Sequence, residues 1–294
     1  MDSLISEFMN NDPISANGNW NQAFILSVMK RNGIMQIPIV NDNMIISEVI
    51  SLKDIVAVTA RNNPVFLMAG GFGTRLQPLT KDIPKPLLKV GGKAILEIIM
   101  ERFIEFGFNN FYISTYYKSE LIEAHFGNGE YWDVSINYVS EEKPLGTAGA
   151  LSLLPELDKS VPLIMMNGDI LTKIDLNELL NFHVQKEAKA TMCVREYDFT
   201  VPYGVVTASE GLVVDIVEKP VHKFFINAGI YVLNPEIISL VPDATFLDMP
   251  NLLKKVSQSN GKVNVFPTHE YWLDIGQMDQ FNKAQVDVEI HFND

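Results

Sequence analysis

Residues 64–69 (Pro-Val-Phe-Leu-Met-Ala) form an apolar run that stops at three glycines within four positions, Gly70, Gly71 and Gly73. A short apolar run bounded by turn residues reads as a buried strand. Glycine permits backbone angles and close approaches that side chains forbid. Successive exposed N–H groups in such a turn form a concave anion site. Arg75 adds a planar five-donor fork suited to phosphate oxygens, and Lys85 adds a compact point charge. Strand, bare turn and two cations together make an apparatus for a triphosphate, although a short glycine-rich turn can also be only a turn. It is not the dinucleotide fingerprint, because Leu76 stands where a third spaced glycine would be. Nor is it a P-loop, since Gly92-Lys93-Ala94 lacks the hydroxyl that would hold magnesium.

Composition narrows the partners. A length of 294 residues suggests about two domains, and 47% apolar content predicts a packed core. The single cysteine, Cys193, lies in the apolar run Thr191-Met192-Cys193-Val194 and reads as a small buried hydrophobe. Such cysteine usage fits a reducing compartment. No apolar run approaches the roughly 18 residues that would span a bilayer, and residues 1–30 lack a charged-then-apolar secretory pattern. A cytoplasmic protein without a membrane partner is therefore expected. The net charge of −13 argues against a nucleic-acid partner. Arg75, Lys81, Lys85, Lys89 and Lys93 nevertheless crowd beside the glycine turn, and local field matters more than net charge for a ligand in a cleft. The five histidines show no metal-ligand spacing and receive no role.

Residues 1–60 read as a small separate α+β unit. Helical spacing over 20–31 has Asn19 as cap and Gly33 just past the end. Strands follow at 36–40 and 44–50 with a turn at Asn41-Asp42-Asn43, and a helix at 52–60. Asp12-Pro13, Ile37-Pro38-Ile39-Val40 with Asn41-Asp42, and Ser51-Leu52-Lys53-Asp54 resemble one cystathionine-β-synthase-type (CBS) repeat. The resemblance implies that Ser51 and Asp54 hold the phosphate and ribose of an adenine nucleotide. Ser-x-x-Asp is equally an ordinary helix cap. Such repeats work in pairs, which implies a homodimer through this unit or a second repeat outside the sequence.

Residues 61–64 form the linker, and 65–294 alternate strand and helix, which predicts an α/β sandwich. Helices are expected at 94–106, 118–125, 147–154, 176–187 and 277–290, with strands at 111–115, 134–139, 161–166 and 190–194. Over 203–218 the period switches to two, with Glu210-Gly211 as a hairpin turn. The strand before Asn167-Gly168-Asp169 points its carboxyl end to the same rim as the glycine turn, where ligands of open α/β sheets sit. A carboxylate there can hold Mg²⁺ together with substrate phosphates, though an Asp after a strand is also an ordinary cap.

The pattern Leu67-x-Ala69-Gly70-Gly71-x-Gly73-Thr74-Arg75-Leu76, then Leu79-Thr80 and Pro84-Lys85-Pro86, resembles the signature of the sugar-1-phosphate nucleotidyltransferases. The resemblance extends over about residues 65–280 and implies a Rossmann-like sandwich with a mixed central sheet. By family position, Leu67, Ala69, Gly70, Gly71, Gly73, Thr74 and Gly168 belong to the nucleotide site. Glu142, Gly146 and Thr147 of Glu142-Lys143-Pro144-Leu145-Gly146-Thr147-Ala148-Gly149 pack on the base and ribose. This form is closer to the mannose-1-phosphate guanylyltransferase branch than to the thymidylyl or cytidylyl branches, which favours GTP. Asp169, with Asp274 in Trp272-Leu273-Asp274-Ile275-Gly276, would hold Mg²⁺, while Asp274 could otherwise cap the following helix. Gly204, Glu218, Lys219 and Asn227 match the sugar-phosphate half. Arg75 and Lys85 match the catalytic cations, on the leaving pyrophosphate and the α-phosphate. The implied substrates are an NTP and a hexose or hexosamine 1-phosphate. Two other readings stand beside it. A glycosyltransferase of related fold would want Asp-x-Asp where position 167 is Asn. A nucleotide sensor would carry a vestigial transferase half.

Overall fold

The computed structural model describes residues 10, 13–17, 20, 22–41, 43–52 and 61–292. The chain divides into two compact units, Met1–Ala60 and Arg61–Asp294. In the first, β1 (Ala16–Asn17), β2 (Gln36–Val40) and β3 (Ile46–Ser51) form a sheet in that order. Helix α1 (Gln22–Asn32) contributes Ile25 and Met29 to a core with Ala16, Ile37 and Ile39. The Asn41 side chain closes the β2–β3 hairpin by accepting from the N–H groups of Asn43 and Ile45, both at 3.0 Å. The second strand starts at Ile46 and not at 44, because Met44 takes φ +60° in that turn. Asp12, Asn19, Asp42, Asp54 and the body of the expected 52–60 helix lie outside the described residues.

The second unit is an α/β sandwich on a seven-stranded mixed sheet. Its strands are β4 (Val65–Met68), β5 (Asn110–Thr115), β6 (Ser135–Ser140), β7 (Leu163–Asn167), β9 (Ala190–Thr200), β12 (Val221–Leu233) and β13 (Val263–Pro267). Their order is β13-β9-β12-β7-β4-β5-β6. Neighbours run parallel except at β12, which is antiparallel to both β9 and β7. Short β8 (Ile170–Thr172) pairs antiparallel with β14 (Trp272–Asp274) beside the sheet. A hairpin, β10 (Val205–Ser209) with β11 (Leu212–Val217), stands apart from it.

Successive strand side chains point to opposite faces, so Val65 and Leu67 join one core and Phe66 the other. On the first face, α2 (Ile95–Glu105) packs Leu96, Ile99, Met100 and Phe103. The same core takes α3 (Ser119–Phe126), α5 (Leu176–Gln185) and α7 (Met278–His291) through Ile122, Leu179 and Val288. On the second face, α6 (Met249–Gln258) packs Leu252, Leu253 and Val256.

Several elements depart from the sequence expectation. Residues 147–154 form one α-turn, α4 (Gly146–Gly149), running into a 3₁₀ turn (Ala150–Leu153) instead of a single helix. The N–H groups of Ala148 and Gly149 both donate to Leu247 O, at 2.8 and 2.9 Å, which pulls the turn onto a distant loop. Strand β9 continues to Thr200 because β12 pairs with it that far. Helix α6 and strand β13 were not foreseen at all.

Buried His183 on α5 is satisfied as a neutral ring. Its Nε2 lies 3.0 Å from Asn234 Oδ1, which can only accept, so Nε2 donates; Nδ1 lies 2.9 Å from the Thr191 hydroxyl. Burial holds its pKa below the ordinary histidine value, with the Asn234 bond opposing. In the window between the depressed folded pKa and the ordinary one, the unfolded chain binds a proton that the folded chain refuses. Stability contributed by this group is thus present at neutral pH and falls as pH drops. Urea melts at pH 7.5 and 5.5 should show a larger loss of stability for the unmodified chain than for His183→Gln; equal losses would refute this account.

Candidate active site

Strand β4 ends at Ala69, and the chain crosses the sheet rim through Gly70 and Gly71. A Cβ at Gly70 would stand 2.8 Å from Glu141 Oε1, so a side chain there would displace the carboxylate that accepts from the Ser114 hydroxyl. Gly73 takes φ +62°, and a Cβ there would meet Thr80 and Lys85 at 2.9 and 3.0 Å. The Thr80 hydroxyl donates to Gly73 O at 2.9 Å, which fixes the turn from its far side. Gly168 closes against the same strand: its N–H donates to Met68 O at 2.8 Å, and a Cβ would lie 2.4 Å from that oxygen.

Two carboxylates meet on this rim. Ile170 opposes Asp274 in the β8–β14 register, and Ile275 N–H donates to Asp169 O at 2.9 Å, so residues 169 and 274 are brought together by backbone pairing. Lys85, 8% exposed, places Nζ 2.5 Å from Asp169 Oδ2. Asp274 Oδ1 is buried without a hydrogen-bond partner. Burial pushes the Asp274 pKa up, and the neighbouring Asp169 charge adds to the rise; Lys85 and Arg75 oppose it. An unpartnered buried carboxylate oxygen beside a second carboxylate fits a divalent cation. Among the described residues no group of three or more His, Cys, Asp or Glu could hold a metal. Two carboxylates leave the remaining positions to phosphate oxygens and water, which is the donor set Mg²⁺ favours.

Lys85 and Asp169 line a cleft of about 290 Å³ together with Ala69, Gly70, Gly71, Gly146, Thr147 and Gly168, while Asp274 stands beside Asp169 outside that lining. Leu67 lies fully buried beneath it. Gly73 and Thr74 shape the turn without lining the cleft. Of the five cations beside the turn, Lys85 alone lines it. Lys93 pairs with Glu101 on the surface at 2.7 Å. Arg75 is exposed, in a separate opening with Gln277, Met278 and Asp279. Its Nη1 comes within 3.5 Å of where a Gly276 Cβ would be, so it stands on the Asp274 side.

Glu142 is exposed and outside the cleft; Glu141 is inside. Its Oε1 accepts from the Ser114 hydroxyl at 2.5 Å and its Oε2 from Leu145 N–H at 2.9 Å. Gly204, Glu218 and Lys219 lie on the exposed β10–β11 hairpin and its base, away from the cleft lining. Asn227 stands where β12 enters the sheet, donating to Tyr231 Oη at 2.6 Å and accepting from Gly229 N–H at 2.9 Å. Ser51 ends β3 of the other unit.

Sequence reasoning missed Asp248. It precedes α6 in the capping position, yet its side chain does not cap that helix. It turns into the cleft, where Oδ1 accepts from Thr147 N–H at 3.2 Å. The Thr147 hydroxyl in return accepts from Met249 N–H at 2.8 Å. No local signal could reveal a partner 101 residues away. The same clamp explains Gly146, with φ +76°, since a Cβ would meet Asp248 Oδ1 and Leu247 O at 2.8 Å. The side of Gly146 where a Cβ would stand is filled by the 247–248 backbone and Asp248.

Residues 65–290 match the family model for nucleotidyl transferase, and residues 5–61 that for the CBS domain. The chain belongs to the nucleotidyl transferase family and carries a CBS domain. It is similar to the mannose-1-phosphate guanyltransferase of Pichia angusta, with 34% identity over 224 residues, 73% of this chain and 61% of that one. The chain thus spans less than two thirds of the length of that relative. It is also 32% identical over 227 residues to the D-glycero-alpha-D-manno-heptose 1-phosphate guanylyltransferase of Aneurinibacillus thermoaerophilus, covering 76% of this chain and 97% of that one. The crystal structure of HddC from Yersinia pseudotuberculosis superposes with a TM-score of 0.60 at 28% identity, over 76% of this chain and 99% of its own. A second crystal structure of HddC, complexed with GMP-PN, gives 0.59.

Gly146→Ala should cost about 1–2 kcal/mol from the left-handed backbone alone, and it should weaken nucleotide binding by displacing Asp248. A thermal melt and a nucleotide titration unchanged from the parent would remove the clamp from the account.

Proposed function

We propose that this chain is a Mg²⁺-dependent guanylyltransferase acting on a sugar 1-phosphate of manno configuration. GTP and the sugar phosphate yield GDP-sugar and pyrophosphate. The observation that carries the reading is Asp169 on the cleft that Lys85, Gly70 and Gly71 also line, with Asp274 brought beside it by backbone pairing. The GMP-PN complex of HddC and the names of both guanylyltransferase relatives support the base, and mannose and manno-heptose in those names support the sugar.

In the reaction a sugar-phosphate oxygen forms a bond to the α-phosphorus as the bond to the departing pyrophosphate breaks. Covalent chemistry asks little of the protein here, and charge neutralisation most. Asp169 and Asp274 would hold the magnesium, whose charge would stabilise the phosphates at the reacting centre. Lys85, on the cleft and paired with Asp169, serves the α-phosphate. Arg75 serves the leaving pyrophosphate, Thr74 and the glycine turn the phosphate chain, and Leu145 to Thr147 the nucleoside. Lys219, Glu218, Asn227 and Gly204 serve the sugar phosphate from the β12 side. A glycosyltransferase is disfavoured by Asn167 and by the family match over residues 65–290. The N-terminal unit is read as an adenine-nucleotide site using Ser51 and Asp54; calorimetry with AMP and ATP that gives no heat would remove that role.

Pyrophosphate release should be fastest when GTP is paired with mannose 1-phosphate or manno-heptose 1-phosphate in a matrix of four NTPs against these and glucose 1-phosphate. Release without any sugar phosphate, or from no pair, would sink the assignment. Asp169→Asn, Asp274→Asn and Arg75→Ala should each lower turnover by ~10²–10³. Chelation should abolish turnover and Mg²⁺ restore it; persistent activity in excess EDTA would exclude the cation.

A further inference from the structure

Six polar side chains line the cleft: Lys85, Glu141, Thr147, Asn167, Asp169 and Asp248. Five of them already hold hydrogen bonds within the chain. Lys85 pairs with Asp169, Glu141 accepts from Ser114 and Leu145, and Asp248 and Thr147 close the clamp described above. Asn167 is the exception. Its Oδ1 is buried without a partner, and among the described residues none bonds its Nδ2 either. Buried polar groups are almost always hydrogen-bonded, and one left unmet costs its own desolvation. An apolar side chain at this place would meet no such cost. The amide is explained by a partner that comes from outside the chain.

The backbone around it is fixed. Asn167 ends β7 and is in register with Met68 at the end of β4, the strand that runs into the glycine turn. On its other side lies β12, paired with β7 as far as Ile230↔Met166. The residue before Ile230, Gly229, takes φ +71°, and a Cβ there would stand 2.7 Å from Asn167 Nδ2 and 3.2 Å from its Cγ. The amide therefore lies against bare main chain. That main chain is held in turn: Gly229 N–H donates to Asn227 Oδ1 at 2.9 Å, and Trp272 Nε1 donates to Ala228 O at 2.9 Å. Asn227 spends its other end too, since its Nδ2 donates to Tyr231 Oη at 2.6 Å, and it does not line the cleft. Of these two asparagines, Asn167 is the one presented to a ligand.

The chemistry of the partner follows from the amide and its place. The ionised phosphates of a nucleotide accept hydrogen bonds and donate none. Oδ1 of an asparagine also only accepts, so a phosphate cannot satisfy it. A hydroxyl both donates and accepts, and serves Oδ1 and Nδ2 alike. Two hydroxyl-bearing groups enter the cleft in the reading above, the ribose and the sugar. In that reading the nucleoside belongs to the loop at Leu145 to Thr147, and the phosphate chain to the glycine turn after β4. Asn167 stands on the far side of β4 from β5 and β6, next to β12, the strand whose Asn227 is assigned to the sugar phosphate. Its place favours the sugar.

We propose that Asn167 binds the sugar, its side-chain amide hydrogen-bonding a ring hydroxyl of the sugar 1-phosphate. The proposal rests on the sugar-1-phosphate reading above and adds to it a residue that recognises the sugar itself. Asn167→Ala removes an amide that bonds nothing in the chain, so its thermal melt should match the parent's. Its kcat/KM for the faster of the two manno 1-phosphates should fall ~10–100-fold, with the KM for GTP and the Mg²⁺ requirement unchanged. Calorimetry reads the same split without turnover: GDP should bind variant and parent alike, and the matching GDP-sugar should bind the variant more weakly. On the unmodified chain, a crystal structure with that GDP-sugar should place a sugar hydroxyl within hydrogen-bond distance of the Asn167 amide. A variant with the parent's kcat/KM for the sugar phosphate, a variant that loses stability, GTP affinity or Mg²⁺ affinity instead, or an amide that meets only ribose or water in the complex would each overturn the proposal. A parent that releases pyrophosphate from no pair of GTP and sugar 1-phosphate would overturn the reading beneath it, and the proposal with it.

Discussion

Two carboxylates forced together at the sheet rim are the constraint to which the site is fitted. Backbone pairing of β8 with β14 sets Asp274 beside Asp169 whatever the charges prefer. Like charges this near raise the cost of ionising both, and burial of Asp274 raises it further. Lys85 opposes that cost by pairing with Asp169, and Arg75 also opposes it. Oδ1 of Asp274 is left without a hydrogen-bond partner. A divalent cation held by both carboxylates would answer the same repulsion more completely than the lysine does.

The glycines around this pair are placed by packing as much as by ligand. Gly70 yields to Glu141, Gly168 to the Met68 carbonyl, and Gly146 to Asp248 and Leu247. Gly168 and Gly146 let one stretch of backbone approach another within a distance that a methyl group would forbid. The cleft walls, drawn from residues 68–71, 144–147, 167–169 and 248, are thereby held by one another. A wall so fixed loses little freedom when a nucleotide arrives, which is the general advantage of a preorganised site.

Strand β12 carries the second organising feature. By running antiparallel between β9 and β7 it makes the sheet mixed, and its 13 residues outrun the sheet. Its inner half is buried from Ala228 to Leu233. Its outer half continues as the exposed ribbon that holds Gly204, Glu218 and Lys219. The residues assigned to the sugar phosphate thus ride on a part of the fold that no other strand among the described residues supports.

Much of this was legible in the chain itself. The buried strand, the glycine turn, Lys85, Asp169, the two-unit division at residue 60 and the Glu210-Gly211 hairpin all rest on local patterns, in which apolar periodicity and bare backbone declare themselves within a few residues. The mixed α/β sandwich followed from that alternation and from the family resemblance. Tertiary structure alone decided that Glu141 and not Glu142 faces the cleft, since adjacent residues on one strand end differ only in which way the chain turns. It decided that Arg75 stands apart from Lys85, that Asp248 abandons its helix for Thr147, and that Gly146 is bare for a protein neighbour. It also lengthened β9 into a ribbon. Each of these rests on a partner that is distant in sequence or on the direction of a single side chain, and neither leaves a periodic trace.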